Sequence, residues 1–486
     1  MVSTPREDYR GGMDQARIVI AGAGFAGFHA ARSLRRAGLR GEAGVTVVNE
    51  TNFMLYTPLL PGAAGGTLDP RHVIVPLRSQ LKHAELIVGS VTGADPQRQA
   101  LTLRRKEGTD IELGYDHLVV ALGSVSKTLP IEGLAEHGIG LKSLADATGL
   151  RNRVLGCLDI AESLESEEAR AEYLSFVFVG AGYAGIEGLA ELQDFAEQAI
   201  DSYPRCKAQG MRWLLVEVQD RIMGEAPPSL SAFAAKELEA RSIEIKTSTR
   251  LKSVDARGTV LSQMTRPHRQ TGTTVPPKNE SETRVKARTV VWTAGVRPSP
   301  AVALLGLELD ASGRLPTDRE LRVLGRQSVW AVGDCAAVPE PARPGETCPP
   351  TAQHAIRQGK LVALNIEGAL DGRGAKPLRY RTRGVVAELG QSKAVAITFG
   401  VRWRGKPAWL IARTYHLLMM PGLGRKLRLL ADWSIALLFG RDASSPGVLG
   451  APRPLEDLMA TNAEAPKAAA NAWIEAESRG EGRLSV

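Results

Sequence analysis

The residues best placed to do chemistry are two sets of closely spaced glycines. Gly22-Ala23-Gly24-Phe25-Ala26-Gly27 follows the apolar run Arg17-Ile18-Val19-Ile20-Ala21, and Gly180-Ala181-Gly182-Tyr183-Ala184-Gly185 follows Phe176-Val177-Phe178-Val179. Each leads into an Ala- and Leu-rich stretch that reads as a helix, Phe28 to Ala37 in one case and Ile186 to Ile200 in the other. Between a strand and a helix, the first glycine permits a tight turn and the second admits a pyrophosphate against bare backbone. The third lets the helix pack on the strand. The phosphate then faces a helix N-terminus, where unpaired N–H groups and the helix dipole favour negative charge. One such hexapeptide is a weak signal. Two, each in a strand–turn–helix setting, imply two dinucleotides in one chain, for which flavin plus nicotinamide is the usual pair. The competing reading is two glycine turns that hold nothing.

The elements that carry these turns repeat. Gly44 to Asn49 reads as the second strand of a βαβ unit, ending Asn49-Glu50, where either residue could hold an adenosine ribose. Tyr115 to Ser124 reads as a buried strand closing on a turn that contains Ala121 and Gly123. The second half has Phe176 to Val179, then Trp213 to Glu217, then Val290 to Gly295 with Ala294-Gly295 as its closing turn. That repetition marks a duplicated nucleotide-binding module. A further buried strand, Ser328 to Asp334, ends in Gly333-Asp334, and a helix is expected over Thr351 to Gly368.

Composition fits a globular enzyme. A chain of 486 residues exceeds a single core and should divide into two or three domains. Met1 to Gln15 is polar without an apolar stretch, so no signal peptide is expected. The densest apolar run, Trp433 to Phe439, falls far short of the ~18 residues of a spanning helix. Four cysteines, Cys157, Cys206, Cys335 and Cys348, lack CxxC spacing, which argues against a disulfide framework or a metal site and suits a reducing cytoplasm. Thr265 to Arg284, rich in Pro, Thr and Lys, reads as a mobile loop at the tip of a β-ribbon. The tail from Ala443 reads as disordered apart from a short helix at most.

The net charge of +8 is concentrated between Arg402 and Arg441, where eight Lys/Arg face the single acid Asp432. Two helices are expected there, Ala408 to Met420 and Leu423 to Phe439, separated by Pro421-Gly422. Trp409, Tyr415, Trp433 and Phe439 supply aromatics, and Arg425, Lys426 and Arg428 cluster at the start of the second helix. An apolar face with a cationic rim suits a helix lying in a membrane interface, at about 1 kcal/mol of attraction to anionic lipid per basic residue. A dimerising or core-packing helix pair is the alternative. Nucleic-acid binding matches only the sign of the charge.

Taken together the motifs resemble the two-dinucleotide-binding-domain flavoproteins, and within them the type II, non-proton-pumping NADH:quinone oxidoreductases. The resemblance spans Ala16 to Arg441 and is carried by Gly22 to Gly27, Asn52 to Pro61, Gly180 to Gly185 with Glu187, Thr293-Ala294-Gly295, Trp330 to Asp334, Thr351 to Gly359 and the C-terminal basic stretch. It implies a doubly wound α/β fold of two Rossmann-like, glutathione-reductase-like domains, the FAD domain being discontinuous. The expected divisions are 16–145 and 298–372 for FAD, 146–297 for NAD(P)H, 373–442 for a C-terminal amphipathic, membrane-docking region, and 443–486 for the tail.

The resemblance also implies site residues. On the FAD side these are Gly22, Gly24, Phe25, Ala26, Gly27, Asn49 or Glu50, Pro58, Leu59, Ala121, Gly123, Gly333 and Asp334. Asp334 would bond the ribityl chain. Ala352 and Gln353 would open a helix aimed at the flavin pyrimidine ring. NADH would meet Gly180, Gly182, Tyr183, Ala184, Gly185, Ala294, Gly295 and Glu217, whose carboxylate would bond the ribose hydroxyls and repel a 2′-phosphate. Arg221 keeps some NADPH use open. Glu187, Gln353 and Arg357 would serve the nicotinamide and quinone sides. Two positions depart from the family: Asn49 stands where relatives often carry an acid, and Arg357 where many carry glutamine. The expected activity passes hydride from NADH to FAD and two electrons on to a membrane quinone, at the cytoplasmic face of the membrane, in a peripheral protein that could dimerise. The alternatives are a soluble NAD(P)H:acceptor reductase and a redox-sensing NADH-binding flavoprotein. With no cysteine before Cys157 the disulfide-reductase chemistry of sister families has no reactive pair to work with, and Cys335 and Cys348 read as small buried thiols rather than sulfide-oxidising ones.

Overall fold

The structure is a computed structural model that describes residues 15–35, 41, 43–264, 281–380 and 384–444. Its first sheet has seven strands in the order Val329–Ala331, His117–Val120, Ala16–Ala21, Ala43–Asn49, Glu85–Asp95, Ala100–Arg105 and Asp110–Gly114. The first five run parallel, and the last two are added by successive antiparallel pairings. The second sheet is parallel throughout: Gly138–Gly140, Thr289–Trp292, Ser175–Val179, Arg212–Val216 and Ile243–Lys246. Strands covered on both faces read as unbroken apolar runs, which is why Phe176 to Val179 is buried at every position. In both sheets the strand before the glycine turn is flanked on each side by parallel neighbours. The turn therefore lies at the carboxyl ends of the strands, where the order reverses and ligands enter.

Six helices matter for the site. They are α1 (Phe25–Ser33), α2 (Leu144–Ser163), α3 (Tyr183–Ala199), α4 (Ala352–Leu370), α5 (Gly405–Met419) and α6 (Leu423–Phe439). Helix α2 starts on a Ser143/Asp146 capping box, and α4 on the Thr351 side chain, which accepts from the His354 N–H. Both glycine-turn helices begin three residues before the expected Phe28 and Ile186, because the second glycine of each turn is itself the N-cap. Residues 36–37 of the first expected helix lie outside the described residues.

Other expectations are corrected as well. Gly138–Gly140 pairs with Thr289–Trp292 inside the second sheet, so the first segment of the FAD-side sheet ends well before residue 145. The short strand is two-thirds glycine and carries no apolar alternation to announce it. Residues 281–284 are not loop but part of the strand Ser281–Lys286, antiparallel to Gly258–Gln263. Only Val285 of it is buried, which is why its polar sequence hid it. The rest of that loop, 265–280, and the tail from 445 lie outside the described residues. The C-terminal region opens with a three-stranded antiparallel sheet, Gly384–Glu388, Ala394–Thr398 and Val401–Arg404, before its two helices.

Helices α1 and α4 meet backbone to backbone. A Cβ added to Gly359 would lie 2.2 Å from the Ala26 carbonyl oxygen, a contact that only a shift of one helix could relieve. Gly359→Val should therefore lower the unfolding free energy by about 1–3 kcal/mol, the usual range for overpacking. Urea denaturation of the two proteins side by side measures it, and an unchanged midpoint would mean the helices separate freely.

Candidate active site

The two glycine turns are built alike. Gly22 and Gly180 have φ of +98° and +105°, a region that side chains avoid. A Cβ on Gly27 would lie 1.8 Å from the Gly22 carbonyl oxygen, and one on Gly185 would lie 2.0 Å from that of Gly180. The third glycine of each turn is thus required by the fold itself. The middle ones differ: a Cβ on Gly24 or Gly182 meets no protein atom within 4 Å, and both positions are exposed. Bare backbone facing open space at the start of a helix is the cradle a pyrophosphate fits. Phe25, Ala26, Tyr183 and Ala184 form the first helical turns beside these cradles.

The second strand of each module reaches back to its turn. Asn49 Oδ1 accepts from the Ala23 N–H at 2.8 Å, while its Nδ2 donates to the Thr51 backbone oxygen at 2.9 Å. Glu217 accepts from the Ala181 N–H at 2.7 Å with one oxygen and from the Gln219 N–H at 2.9 Å with the other. Asn49 and Glu217 therefore occupy equivalent places. Glu50, next along, points out exposed. Arg221 is engaged with the carbonyls of Ala226 and Gly224.

Asp334 lies at the end of Val329–Ala331, across from the turn after His117–Val120. Its Oδ2 accepts from the Ser124 hydroxyl at 2.6 Å, and Lys142 Nζ is 3.1 Å from that hydroxyl. Gly333, at φ +76°, donates its N–H to Gln358 Oε1 at 2.7 Å, tying this turn to α4. Gly123 and Gly295 turn at φ +67° and +93°, and the segments after them pair as Ser124–Ser126 with Val296–Pro298. Ala121 and Ala294 are thereby set at the mouths of the two modules. The turn Thr57–Leu59, containing Pro58 and Leu59, follows Tyr56, whose ring stacks edge-on at 5.4 Å from Phe25.

Gln353 and Arg357 share one face of α4. Gln353 donates to the Gly384 carbonyl at 3.0 Å and accepts from the Tyr380 hydroxyl at 2.6 Å. Arg357 lies over the Tyr380 ring at 4.2 Å and donates to the Gln353 carbonyl at 2.9 Å. Glu187, on α3, meets the other end of the strand Gly384–Glu388: its carboxyl oxygen accepts from the Glu388 N–H at 3.1 Å. The strand Gly384–Glu388 thus connects the two groups, four residues or about 13 Å apart at ~3.3 Å per residue.

Glu187 lines a cleft with Pro58, Leu59, Glu191, Glu388, Arg413 and Trp433, of about 300 Å³ counting its open mouth. Burial pushes the Glu187 carboxyl up to about 8, against the lowering effect of the Glu388 N–H. Glu388 is likewise pushed up to about 7 by burial, although Arg413 opposes this at 3.3 Å. Arg413 is held between the rings of Trp409 and Trp433, at 5.0 and 4.6 Å. Tyr380, Glu388 and Arg413 were not found from sequence. An acid inside the apolar strand Gly-Val-Val-Ala-Glu was the available signal for Glu388.

All four cysteines are buried thiols in no disulfide, and burial pushes Cys335 up to about 11 and Cys348 to about 12, which disfavours the thiolate there. Cys348 lies beside Glu340 and His354 in a buried cluster of metal-ligand type that the spacing rules did not anticipate. His354 there bridges Thr351 at 2.8 Å and Glu340 at 3.1 Å by hydrogen bonds.

The open middle glycine and the crowded third one should separate on mutation. Gly24→Ala should keep the fold and lower the flavin retained on purification, whereas Gly27→Ala should destabilise the apoprotein itself. Flavin absorbance per chain and thermal unfolding of the apo form distinguish them. Full flavin in Gly24→Ala would show that this turn does not receive the phosphate.

Residues 16–359 match the pyridine nucleotide-disulphide oxidoreductase family. The type II NADH:quinone oxidoreductase NdhA of Mycobacterium tuberculosis is 28% identical over 435 residues, covering 87% of each chain. That of Staphylococcus aureus is 30% identical over 397 residues, 81% of this chain and 92% of the relative. NDH2 of Plasmodium falciparum, solved in complex with NADH, matches with a TM-score of 0.79 at 16% identity over 88% of this chain and all 100% of its own, a likeness of fold. The chain belongs to the pyridine nucleotide-disulphide oxidoreductases and, within them, to the type II NADH:quinone oxidoreductase family.

Proposed function

We propose that the protein is a type II NADH dehydrogenase: an FAD-dependent enzyme that oxidises NADH and reduces a quinone without pumping protons. The observation that carries this reading is the pair of parallel-sheet modules with open glycine turns, joined at a cleft that holds Glu187. Bound FAD would supply the two-electron chemistry that links NADH oxidation to quinone reduction. The chain supplies position and electrostatics. Gly22 to Gly27 and the Asp334 turn hold the FAD side, and Gly180 to Gly185 with Glu217 the NADH side. The N-terminus of α4 offers the N–H groups of Ala352 and Gln353, which would favour negative charge on a reduced ring, while the Thr351 N–H is held by the Pro349 carbonyl at 2.8 Å. Glu50, exposed beside the committed Asn49, is the FAD ribose partner. Glu187, Gln353 and Arg357 line the acceptor side. The unit bounds we infer run 16–126 and 298–372 for FAD and 138–297 for NADH, with 373–442 as the C-terminal region.

Helix α6 is the membrane element. Only Leu429 of it is buried, while Leu437, Leu438 and Phe439 are 75%, 74% and 82% exposed. Among the described residues no helix is long and apolar enough to cross a membrane, and an amphipathic helix lying in the interface accounts for this face. Not all of the basic stretch faces lipid. Arg413 pairs with Glu388, Arg441 with Glu191, and Arg425 donates to the Arg71 carbonyl, while Asp432 pairs with His72 at 2.6 Å. Lys426 is half-buried and donates to the Leu418 carbonyl at 2.9 Å. Arg402, Arg404, Lys406 and Arg428 are exposed and remain for the anionic surface, although Arg402 and Arg404 also reach Ser229 and Arg428 reaches His72. With NADH as donor, the face we infer for this surface is the cytoplasmic one. A second copy of the chain is the competing occupant of α6.

Purified protein should carry one FAD per chain and turn over NADH with a short-tailed quinone. NADH should be preferred over NADPH in kcat/KM, and Glu217→Gln should reduce that preference about tenfold, since a hydrogen bond to a charged group is worth about 1.5–3 kcal/mol. Flavin reduction without quinone-dependent turnover would favour a soluble reductase or a sensor.

Docking is best tested on the α6 surface, because α5 also walls the cleft and truncating it would disturb both. Leu437→Ser with Phe439→Ser should abolish co-sedimentation with anionic liposomes, and wild-type binding should weaken as salt screens charges beyond ~8 Å. Unchanged sedimentation together with loss of a dimer in the double variant would assign α6 to a second copy.

A further inference from the structure

A carboxylate taken out of water needs a cation beside it. The three least exposed acids among the described residues are Glu172, Glu191 and Glu340, at 3%, 4% and 5%. Arginines answer the first two: Arg257 is 2.7 Å from Glu172, and Arg441 is 3.1 Å from Glu191. The ion-pair partner of Glu340 is instead His354, whose Nε2 is 3.1 Å away. Cys348 completes the group. Its sulfur, a ring nitrogen of His354 and an oxygen of Glu340 all lie within 4.8 Å of one another, and all three residues are buried.

Two backbone elements build the group. Glu340 and Cys348 come from the two sides of a hairpin, closed by the Cys348 N–H on the Val338 carbonyl at 2.8 Å and the Glu340 N–H on the Glu346 carbonyl at 2.9 Å. His354 comes from the first turn of α4. A sulfur, an imidazole nitrogen and a carboxylate oxygen form the mixed donor set that a zinc-class ion takes. With bonds of ~2.0–2.3 Å, the ligand atoms of a tetrahedral ion stand roughly 3.3–3.8 Å apart. The Glu340–His354 pair is already close to that spacing, and the sulfur has about 1 Å to close. Each donor has a support behind it. His354 Nδ1 is 2.8 Å from the Thr351 hydroxyl, and Glu340 Oε1 accepts from the Ala342 N–H at 3.2 Å. Gln358, anchored on the Gly333 N–H at 2.7 Å, reaches the Cys348 side chain. Outer partners of this kind fix the tautomer and orientation of metal ligands. The Pro339 carbonyl oxygen, 3.8 Å from Cys348 Sγ, is in reach as a fourth donor.

We propose that Glu340, Cys348 and His354 bind one zinc-class divalent cation, a structural site that staples the hairpin to the first turn of α4. On binding, Cys348 releases its thiol proton to solvent and its thiolate bonds the ion. The single His354 ring proton sits on Nδ1, facing the Thr351 hydroxyl, which leaves the Nε2 lone pair for the ion. One thiolate and one carboxylate balance the two positive charges, so the buried group is neutral as a whole. Zinc has no redox change, so the ion holds structure and carries no electrons. What it holds is close to the cofactor side. The His354 ring meets Tyr380 edge-on at 4.9 Å, and Tyr380 is the residue that fixes Gln353 and Arg357. The site therefore backs the start of α4, and it stands whether or not quinone is the acceptor.

The test uses the FAD-loaded full chain purified without chelators. Elemental analysis should find about one zinc per chain. After dialysis against a chelator, added cobalt(II) should give a thiolate charge-transfer band and the visible bands of a tetrahedral ion, to the red of flavin absorption. Zinc should displace both. Zinc, and not magnesium, should raise the Tm of the stripped protein by about 5 °C. Cys348→Ser should lose the charge-transfer band, whereas Cys206→Ser, which removes a thiol elsewhere, should keep it. Thr351→Val, which deprives His354 Nδ1 of its partner, should weaken cobalt binding about tenfold, and it stands in if the serine variant does not fold. Wild-type protein with far less than one zinc per chain and no cobalt charge-transfer band would overturn the proposal. So would a band that survives unchanged in Cys348→Ser, or wild-type cobalt affinity in Thr351→Val.

Discussion

Both halves of the molecule depend on a hydrogen bond that runs from the end of the second strand back to the second residue of the glycine turn. In one module Asn49 accepts from Ala23, in the other Glu217 accepts from Ala181. The N–H groups of Gly22 and Gly180 still pair with the Val48 and Val216 carbonyls at 2.8 Å, but the next residue of each turn has left the sheet, and its N–H needs such an acceptor. With Ala23 and Ala181 held, the first glycine can keep its positive φ, the third can touch the first, and the middle one is left facing open space. The two modules solve one steric problem with different side chains. The neutral amide does not oppose a negatively charged neighbour, whereas the carboxylate does, and the module with the carboxylate is the one that must discriminate between nicotinamide cofactors differing by a phosphate.

The strand Gly384–Glu388 does a comparable job between the modules. One end takes a hydrogen bond from Gln353 of α4, and the other gives one to Glu187 of α3. It fixes the FAD-side helix and the NADH-side helix to one rigid ruler. The helices that follow it close the cleft from the far side, and their cations are divided. Arg413 and Arg441 turn inward to acids on the strand and on α3, Arg425 and Lys426 are half-buried on backbone carbonyls, and Arg402, Arg404, Lys406 and Arg428 stay at the surface. A basic stretch that reads from composition as one electrostatic patch is in this way two things: an internal charge-balancing set and a smaller external rim.

What was legible in the sequence is what local geometry fixes. The glycine turns, the strands that precede them and the helices that follow announce themselves because each is specified within about ten residues. The αα pair broken at Pro421-Gly422 was equally plain. Gly138–Gly140 was not, because a short glycine strand becomes a strand only through its partner Thr289–Trp292. Ser281–Lys286 was hidden by its exposed face. Glu388 and Arg413 were missed for a deeper reason. A carboxyl's chemistry depends on how much water it has lost and which cations remain nearby, and both are set by segments some 200 residues away in sequence, such as Glu187.

Arg357 shows how tertiary contacts can narrow what a residue type leaves open. A guanidinium on the acceptor face of α4 could by type alone swing toward an anionic ring or an acidic acceptor. Here its face lies on Tyr380 and one of its N–H groups is held by the Gln353 carbonyl a turn earlier. Tyr380 in turn donates to the Gln353 side chain, so the three residues fix one another. A cation immobilised in this way acts as a fixed positive wall rather than as a mobile ligand clamp. On the quinone-reducing reading, its field would favour an acceptor that gains negative charge as electrons arrive, and would do so without reorganising, which is what makes a preorganised charge effective. Arg357 therefore forms a charged wall beside Gln353, and Tyr380 is the partner that fixes it in place.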